Sequence, residues 1–571
     1  MTTYRAPLPD ILFSLRLAAG ADAEELYADI AGGVAEQTLT EAAKFAEEQL
    51  LPLDRKGDLA GVRYADRAVT TAPGWREAYA GWRDGGWNAI AAKPEYGGVG
   101  LPALLNAACT EIWNAANISF ALCPLLGHGA IEALEAHASE ALKETYLRKL
   151  VSGEWTGTMN LTEPQAGTDL ALLRTRAERN VDGSYRLTGQ KIYITYGEHD
   201  LADNIAHLVL ARLPDAPAGV KGISLFLAPK FLPDEAGAFT RRNALHCAGV
   251  EHKLGIHAAP TCTMIYEDAI GFLIGEENNG LACMFTMMNN ARLSVGVQGV
   301  ALAERATQAA LAYARERKQG RAPGAAGTSA IIEHPDVARM LLTMASLTAA
   351  SRLICFETAA SLDRAHRAKS QEADERASLL TPVAKAFATD IANEVTSLAV
   401  QVFGGMGYVE ETGVAQLMRD ARICAIYEGT NGIQAIDLVG RKLLMSGGAA
   451  LTREIQDMRA LARESHYAAV AEAVEALAQA SVYMAGAMTS SPAEALAGAT
   501  PYLRLFALAR GATLLEKAAR LARRENDANA ARYEMLAHFF ARNIVVAAPG
   551  LAKMVTEGAA SVTDGKAAFS A

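Results

Sequence analysis

The sequence has few cysteines and no long apolar run, and both scarcities narrow the possible classes of protein. Seven cysteines are spread over 571 residues, an odd number with no CxxC spacing. Neither a zinc cluster nor a disulfide framework is indicated, and we expect a reducing cytoplasm. No apolar run approaches the roughly 20 residues of a bilayer-spanning helix, and the N-terminus lacks the pattern of a signal peptide. We therefore expect neither secretion nor a membrane span.

Familiar nucleotide-binding and hydrolytic motifs are also missing. The sequence has no GxGxxG after a predicted strand, no GxxxxGKS/T, no HExxH and no GxSxG. Any nucleotide cofactor is therefore not held by the usual turn between a strand and a helix. Three histidines lie close together in the chain, but not at a spacing typical of metal ligands, and no metal site is predicted; they are His246, His252 and His257.

Acidic residues outnumber basic ones. With 54 Lys and Arg against 64 Asp and Glu, the formal net charge is −10. This balance argues against a chain built to neutralise nucleic-acid phosphates, and no nucleic-acid partner is predicted. The composition, 51% hydrophobic and 21% charged, is that of a globular protein.

The hydrophobic pattern changes twice along the chain. Amphipathic helical patterns come first, short β-rich runs follow from Glu154, and long helical patterns return after Leu281. We predict a mostly α fold with a central barrel-like or sandwich-like β domain and an extra C-terminal helical domain. The last domain is predicted to be separate because the preceding bundle already has enough apolar faces to close on itself. The predicted segments are an arm (1–35), a helical domain (36–153), the β domain (154–279), a helical bundle (280–446) and the appended domain (447–571). The Gly- and Ala-rich stretch 320–330 is predicted to be a loop.

Two segments of the β domain carry an unusual combination of polar and small residues. The first, MNLTEPQAGTDL (159–170), is a strand running into a loop. It is either an ordinary polar turn or a strand end that offers N–H and hydroxyl donors to a heteroaromatic ring. The second, GQKIYIT (189–195), is either a plain strand or a strand whose period-two alternation places Tyr193 and Thr195 on one face, against such a ring.

A third constellation lies in the bundle, in QVFGGMGYVEE (401–411) and RICAIYEGTNGIQA (422–435). The glycines of GGMG indicate a sharp turn or a close backbone approach. Glu428 follows an apolar run and precedes Gly429. It is either a surface carboxylate at a helix end or a group held in a dry site with raised proton affinity. The second state is what a general base requires.

Taken together, seven segments resemble the acyl-CoA dehydrogenase family in order and spacing, over about residues 36–445. They are EYGGVGLP, MNLTEPQAGTD, KIYIT, NNARL, RERKQG, QVFGGMGY and YEGTNG. The resemblance implies a helical domain, a central β domain and a helical bundle, which agrees with the segments predicted above.

The resemblance also implies roles for single residues. Glu428 corresponds to the catalytic base. Residues matching the family's FAD contacts are Thr162, Tyr193 and Thr195 at the flavin ring, Arg317, Gln401 and Gly405 toward a neighbouring subunit's FAD, and Thr430 over the diphosphate. Residues matching its substrate contacts are Thr168, Arg292 and Gly429. The family's Arg-x-x-Phe ends in Gly320 here, so the phenyl ring that packs on the partner's cofactor is missing.

The implied reaction is FAD-dependent α,β-dehydrogenation of an acyl-CoA to a trans-2-enoyl-CoA, as in β-oxidation. The arm and the C-terminal segment resemble a longer subgroup, whose substrates include fatty acyl-CoA and 3-methylmercaptopropionyl-CoA. The resemblance further implies electron-transferring flavoprotein as acceptor and a homodimer or higher homo-oligomer. Two alternatives remain: an acyl-CoA oxidase that reduces O2, and a DNA-associated flavoprotein of the same superfamily, which should show a basic patch.

Overall fold

The computed structural model of the chain describes residues 4–569. The first three residues of the predicted arm and the last two of the predicted C-terminal domain lie outside the described residues. Helices precede and follow a central sheet, and a further set of helices completes the chain. The predicted fold class, mostly α with a central β domain and an extra C-terminal helical region, is confirmed.

Nineteen α-helices are found in the described chain. In order they are α1 (Leu8–Ala19), α2 (Val34–Phe45), α3 (Leu51–Ala60), α4 (Trp75–Asp84), α5 (Ala103–His137), α6 (Glu140–Leu142), α7 (Arg148–Val151), α8 (Gly280–Glu316), α9 (Pro335–Arg367), α10 (Gln371–Phe403), α11 (Val414–Cys424), α12 (Asn431–Asp437), α13 (Ala449–Arg463), α14 (Ala468–Ser490), α15 (Pro492–Ala497), α16 (Ala499–Arg524), α17 (Ala530–Asn543), α18 (Ala548–Thr556) and α19 (Ala559–Asp564). The stretch 320–330 is irregular, as predicted.

Eleven strands are found in the same residues. They are β1 (Arg63–Ala65), β2 (Ala68–Thr70), β3 (Trp155–Asn160), β4 (Arg176–Arg179), β5 (Tyr185–Thr195), β6 (Asn204–Arg212), β7 (Ile223–Pro229), β8 (Phe231–Leu232), β9 (Arg241–Arg242), β10 (Leu245–Val250) and β11 (Thr261–Ile274). The pairings β11–β5, β5–β4, β4–β6, β6–β7 and β7–β11 close into a ring, with β10 and β3 attached to it. The β domain is therefore barrel-like.

Contacts divide the chain into two compact units. The first comprises the residues up to Ala43, Pro102–Ala115, and the chain from Arg292 onward; the second comprises Lys44–Leu101 and Ala116–Ala291. The five predicted segments follow the sequence pattern and not this division, and their boundaries stay a prediction.

In the second unit, β6 is buried on both faces. Leu208 and Leu210 belong to one apolar cluster, which also contains residues of α5. Val209 and Ala211 point the other way, into a second cluster formed by other strands. Because successive residues of a strand alternate between faces, a strand between two cores reads as a continuous apolar run. The sequence of β6, NIAHLVLAR, is such a run.

In the first unit, the C-terminal helices share the core of the bundle. α16 packs against α9, α10 and α12. The approach to α9 is close: a Cβ on Gly511 would lie 3.1 Å from Ala350 Cβ. Ion pairs add to this packing, since Arg510 of α16 lies 3.9 Å from Glu357 of α9 and 3.0 Å from Glu454 of α13. The C-terminal helices therefore pack on apolar faces of the bundle, and the domain boundary near residue 447 stays a prediction.

The N-terminal arm contacts the C-terminal helices. The Phe13 ring lies 4.7 Å from the Tyr533 ring, and Asp10 lies 2.9 Å from Arg532. Arg16 pairs with Asp527 at 2.6 Å. The two ends of the chain thus form one packed region.

Two described helical stretches have the length and composition of a membrane span. They are Pro335–Arg367, whose most apolar window is 83% buried, and Ala530–Thr556, whose window is 39% buried. Burial in the bundle core accounts for the apolar composition of the first. Length and composition by themselves are weak evidence for a span, so the expectation drawn from the sequence stays a prediction.

Candidate active site

The loop between α11 and α12 carries Glu428. Glu428 and Gly429 both adopt left-handed backbone conformations, with φ of 54° and 85°. For a residue with a side chain, this conformation costs on the order of 1–3 kcal/mol and persists only where surrounding contacts impose it. A Cβ on Gly429 would lie 2.7 Å from Gln434 Nε2. The loop is therefore a strained turn that requires glycine directly after the carboxylate.

Glu428 is half-buried and has raised proton affinity. Burial raises the pKa of its carboxyl group to about 7, against the opposing effect of the nearby cations Arg292 and Lys385. A carboxylate that titrates near neutral pH is suited to proton abstraction. The half-buried position and the raised pKa favour the second of the two states that the sequence allows, and the role of Glu428 as catalytic base stays a prediction.

The main chain at Glu428 offers a hydrogen-bond donor. Within residues 4–569, the Glu428 N–H has no protein acceptor. Its carbonyl oxygen, in contrast, accepts a hydrogen bond from Gln434 Nε2 at 3.1 Å. The backbone N–H is thus available to a bound molecule.

Arg292 of α8 lies beside this loop. It is the residue of α8 at which the first unit resumes. Its side chain is buried, with Nη1 3.5 Å from Asp437 Oδ2. Its positive charge lowers the pKa of Glu428. The contact with CoA that the resemblance implies for Arg292 stays a prediction.

Several residues of this site were missed in the sequence. Lys385 Nζ donates to the Gly429 carbonyl at 2.9 Å and to Asn431 Oδ1 at 2.8 Å. The Tyr427 hydroxyl donates to Gln298 Oε1 at 2.5 Å. Lys385 had a signal, since it is the single cation in the apolar run VAKAFA, which becomes a buried face of α10. Nothing in the sequence marks Gln298.

Thr430 ends the loop and begins α12. Its Oγ1 accepts a hydrogen bond from the Ile433 N–H at 3.3 Å, so it acts as the helix N-cap. Thr430 is exposed. Its implied position over the FAD diphosphate stays a prediction.

Three predicted cofactor residues lie at one end of the bundle. The Tyr313 ring near the end of α8 stacks on the Phe403 ring at the end of α10, with centroids 4.2 Å apart. Arg317 is one turn after Tyr313, while Gln401 and Gly405 flank Phe403. All three are exposed. Their role toward a neighbouring subunit's FAD stays a prediction.

In the second unit, Thr162 follows β3 and lies beside β5. Its carbonyl oxygen accepts a hydrogen bond from the Ile192 N–H at 2.9 Å. The next residue, Glu163, is buried, and its Oε1 lies 2.8 Å from Lys191 Nζ. Lys191 also donates to the Leu161 carbonyl at 2.9 Å. Burial lowers the pKa of Lys191 to about 8, and the Glu163 carboxylate opposes that shift. The pair fixes the loop after β3 to β5.

The alternation of β5 is interrupted at Tyr193. Cys262 of β11 pairs with Ile194, but Met264 pairs with Lys191, so β5 has one extra residue there. Tyr193 has a φ of 60°, and its side chain is 61% exposed. A β-bulge turns its residues away from strict alternation. The bulge lies at the residues for which a shared face of Tyr193 and Thr195 is predicted, and that placement stays a prediction.

The polar groups along these strands fit a flat ring with hydrogen-bonding edges. Thr162 and Thr195 are half-buried, and among the described residues neither hydroxyl has a protein partner. Thr168, in the loop after β3, is exposed. Hydroxyls without protein partners and an exposed aromatic ring are groups that suit a heteroaromatic ligand. Among residues 4–569, no group of three or more His, Cys, Asp or Glu side chains is arranged to hold a metal ion.

Sequence models of four domains match the chain. They are the acyl-CoA dehydrogenase N-terminal domain (35–154), middle domain (158–269) and C-terminal domain (278–444), and the acetyl-CoA dehydrogenase C-terminal-like domain (450–565).

Relatives agree with these matches. The chain is 47% identical to 3-methylmercaptopropionyl-CoA dehydrogenase of Ruegeria pomeroyi over 520 residues, or 88% of each chain. It is 35% identical to a butyryl-CoA dehydrogenase of Syntrophomonas wolfei, over 74% of this chain and 73% of that one. The solved structure of Caenorhabditis elegans ACDH-11 in complex with C11-CoA has the same fold, with a TM-score of 0.79, 21% identity, and coverage of 95% and 92% of the two chains.

Fold and site together define a flavin-dependent oxidoreductase that acts on acyl-CoA thioesters. The chain belongs to the acyl-CoA dehydrogenase family, as the resemblance implied. The cofactor of this family is FAD, whose ring fits the partnerless hydroxyls of Thr162 and Thr195.

Proposed function

We propose that this dehydrogenase converts a fatty acyl-CoA or 3-methylmercaptopropionyl-CoA into the trans-2-enoyl-CoA, with Glu428 as catalytic base. The observation that carries the proposal is the environment of Glu428. Burial raises its pKa to about 7, and its own N–H has no protein acceptor among the described residues. One residue thus combines a proton acceptor with a donor for a carbonyl oxygen.

The reaction requires removal of a weakly acidic α-proton. The Glu428 carboxylate takes this proton while the Glu428 N–H donates to the thioester carbonyl and stabilises the developing negative charge. The β-carbon loses a hydride, and the Cα–Cβ double bond forms. A positioned base contributes roughly a hundredfold to ten-thousandfold, and a fixed donor at the oxygen a comparable factor. When bound, FAD supplies the acceptor for the hydride.

The cofactor residues are assigned as the resemblance implies. Thr162, Tyr193 and Thr195 hold the flavin ring. Arg317, Gln401 and Gly405 serve a neighbouring subunit's FAD, and Thr430 serves the diphosphate. The partnerless hydroxyls of Thr162 and Thr195 and the exposure of Arg317, Gln401 and Gly405 support these assignments.

Three residues are assigned to the substrate: Thr168, Arg292 and Gly429. Exposure of Thr168 leaves it accessible to a CoA chain. The left-handed φ of Gly429, 85°, sets the orientation of the peptide that follows Glu428. Arg292 acts on the substrate site through its charge beside Glu428.

The substrate is proposed from the relatives. The 47% identity over 88% of both chains favours 3-methylmercaptopropionyl-CoA, and the 35% identity to a butyryl-CoA dehydrogenase favours short fatty acyl groups. The two substrate types are chemically compatible. A thioether sulfur replaces one methylene beyond the β-carbon, which leaves the α and β C–H bonds in place.

We also propose electron-transferring flavoprotein as the electron acceptor, a homodimer or higher homo-oligomer, a place in β-oxidation, and a cytoplasmic location. Seven free, buried cysteines are consistent with a reducing compartment. Basic residues after position 440 form ion pairs with acidic ones, such as Arg459 with Glu475 and Arg523 with Glu534. This pairing favours solvated helix faces over a nucleic-acid surface.

Anaerobic bleaching of the flavin tests the proposal. Purified protein is mixed with acyl-CoA thioesters of graded length and with 3-methylmercaptopropionyl-CoA. We expect bleaching by the parent, and a Glu428→Gln variant that retains FAD but loses bleaching at least a hundredfold. A variant that bleaches at the parent's rate contradicts the role of Glu428. Peroxide formation without an added acceptor would indicate an oxidase, and a salt-sensitive gel shift would indicate DNA binding.

A further inference from the structure

Lys385 connects the long helix α10 to the loop that carries Glu428. It lies in the middle of α10, and its side chain is fully buried. Its ammonium group donates to the Gly429 carbonyl at 2.9 Å and to Asn431 Oδ1 at 2.8 Å. Removing a lysine from water is costly unless its charge and donors are used. Here the donors are directed at the residues around Glu428.

The side chain of Asn431 completes the connection. Its Nδ2 donates to Thr389 Oγ1 at 2.9 Å and to Asp390 Oδ1 at 2.7 Å, both on the next turn of α10. Its backbone N–H donates to the Ala425 carbonyl at 3.1 Å. Two residues close to Glu428, Gly429 and Asn431, are thus held to one helix, and the loop is closed on itself between Ala425 and Asn431.

The conformation of Glu428 needs such a constraint. A φ of 54° is unfavourable for glutamate, and the loop would relax without contacts that oppose relaxation. Gln434 supplies one contact, to the Glu428 carbonyl at 3.1 Å. Lys385 supplies a second contact, to the Gly429 carbonyl. Its ammonium donor is charged, whereas the Gln434 amide is neutral. Hydrogen bonds from a charged donor are roughly twice as strong as neutral ones.

We propose that Lys385 is a positioning residue for the dehydrogenation. By binding the Gly429 carbonyl and Asn431, it holds the strained turn that presents Glu428, and it places a fixed positive charge beside the Glu428 carboxylate. This inference rests on the proposed role of Glu428 as base. The competing explanation is that Lys385 only stabilises the bundle.

The charges around Lys385 support the proposed effect of its positive charge on the Glu428 carboxylate. Burial lowers the pKa of Lys385 to about 8, while Cys424, Glu428 and Asp390 raise it and Arg292 lowers it. Lys385 and Arg292 are in turn the two cations that lower the pKa of Glu428. Removing the Lys385 charge therefore raises the pKa of Glu428.

Two variants separate the charge from the hydrogen bond. Lys385→Met removes both at similar side-chain length. Lys385→Gln keeps an N–H donor without the charge, and it also provides a second variant if the first folds poorly. The matched control is Lys517→Met, because Lys517 Nζ likewise bonds Glu357 of another helix at 3.1 Å and is not part of the site.

The measurements are FAD content, melting temperature, and the rate of anaerobic flavin bleaching as a function of pH and acyl-CoA concentration. For Lys385→Met we expect FAD to be retained and KM to change less than about threefold. The limiting rate should fall on the order of a hundredfold, as for a misplaced reacting group. The midpoint of the rate-pH curve should move to higher pH. Lys385→Gln should show the same shift with a smaller loss of rate.

Three results would overturn the inference. They are an unmoved midpoint with a rate within threefold of the parent, a lower melting temperature as the only change, and a midpoint that shifts equally in Lys517→Met.

The Glu428→Gln background separates this inference from the proposed function. If Glu428→Gln bleaches normally, the proposed function fails first. If Glu428→Gln is inactive and Lys385→Met is normal, only the role of Lys385 fails. Adding Lys385→Met to Glu428→Gln should cause no further loss.

Discussion

A single carboxylate sets the pH dependence of the proposed reaction. Because burial raises the pKa of Glu428 to about 7, a large fraction of the base is protonated and inactive below neutral pH. The rate of flavin bleaching at low substrate concentration should therefore rise with pH and level off above about pH 8. Stopped-flow measurements from pH 5.5 to 9 check this. A rate that is constant over this range would contradict the assigned pKa.

The same shift predicts an effect on stability that does not depend on catalysis. The folded protein holds a proton on Glu428 between the ordinary glutamate pKa of 4.5 and about 7, where the unfolded chain has lost it. Stability therefore falls as pH rises through this window, by on the order of 1–3 kcal/mol. Glutamine carries no charge and avoids this loss.

Glu428→Gln should accordingly melt at a higher temperature than the parent at pH 8 and at about the same temperature at pH 4.5. Differential scanning calorimetry of both proteins, each saturated with FAD, gives the comparison. Glu557→Gln, an exposed glutamate of the C-terminal region, serves as control and should show no such pH-dependent difference. If Glu428→Gln is less stable than the parent at both pH values, burial of the Glu428 carboxylate does not destabilise the folded protein.

At the scale of elements, the loop after β3 depends on one buried ion pair. Lys191 is fully buried and Glu163 is 3% exposed, with 2.8 Å between their charged atoms. Removing one partner leaves an uncompensated buried charge, which costs about 3–5 kcal/mol. Glu163→Gln should therefore lower the melting temperature strongly and weaken FAD binding, because Thr162 directly precedes it.

A double variant tests whether the loss comes from the unpaired charge. Glu163→Gln combined with Lys191→Met leaves no buried charge, so it should be more stable than Glu163→Gln alone. Thermal unfolding and FAD titration of the single and double variants form the cycle. If the double variant is less stable than both single variants, the pair is not the source of the effect.

The elements also show how far the sequence could predict the fold. The sequence predicts a strand at GQKIYIT, which is the second half of β5, because alternating burial dictates its composition. The short strand β4 was missed, since Arg176–Arg179 is mostly charged and only Ala177 is buried.

At the candidate site, Glu428 is marked in the sequence by the apolar run that precedes it. The bulge at Tyr193 and the contacts of Lys385 depend on partners distant in sequence, which periodicity does not reveal.

At the scale of the whole chain, both terminal regions belong to the unit that holds the Glu428 loop. α16 packs against α12, which begins directly after that loop. The arm packs against the C-terminal helices in turn. Sequence periodicity indicates the apolar face of each helix but not the partner of that face, so it does not predict which helices the C-terminal domain packs against. Arg504 of α16 lies 3.0 Å from Glu394 of α10, and its guanidinium lies over the Phe387 ring of the same helix.

This arrangement predicts that the arm stabilises the C-terminal helices. Phe13 is fully buried and packs on Tyr533, so Phe13→Ala should cost about 3–5 kcal/mol through loss of apolar contact and the cavity left behind. The melting temperature should fall, and hydrogen exchange should rise first in α17, which carries Tyr533. Leu59→Ala, at a side chain that is 72% exposed, is the control and should change neither measurement. Because the C-terminal helices share the core of the first unit, Phe13→Ala should also increase exchange in α16. An increase confined to the arm itself would show that the arm lies on the C-terminal helices without stabilising them.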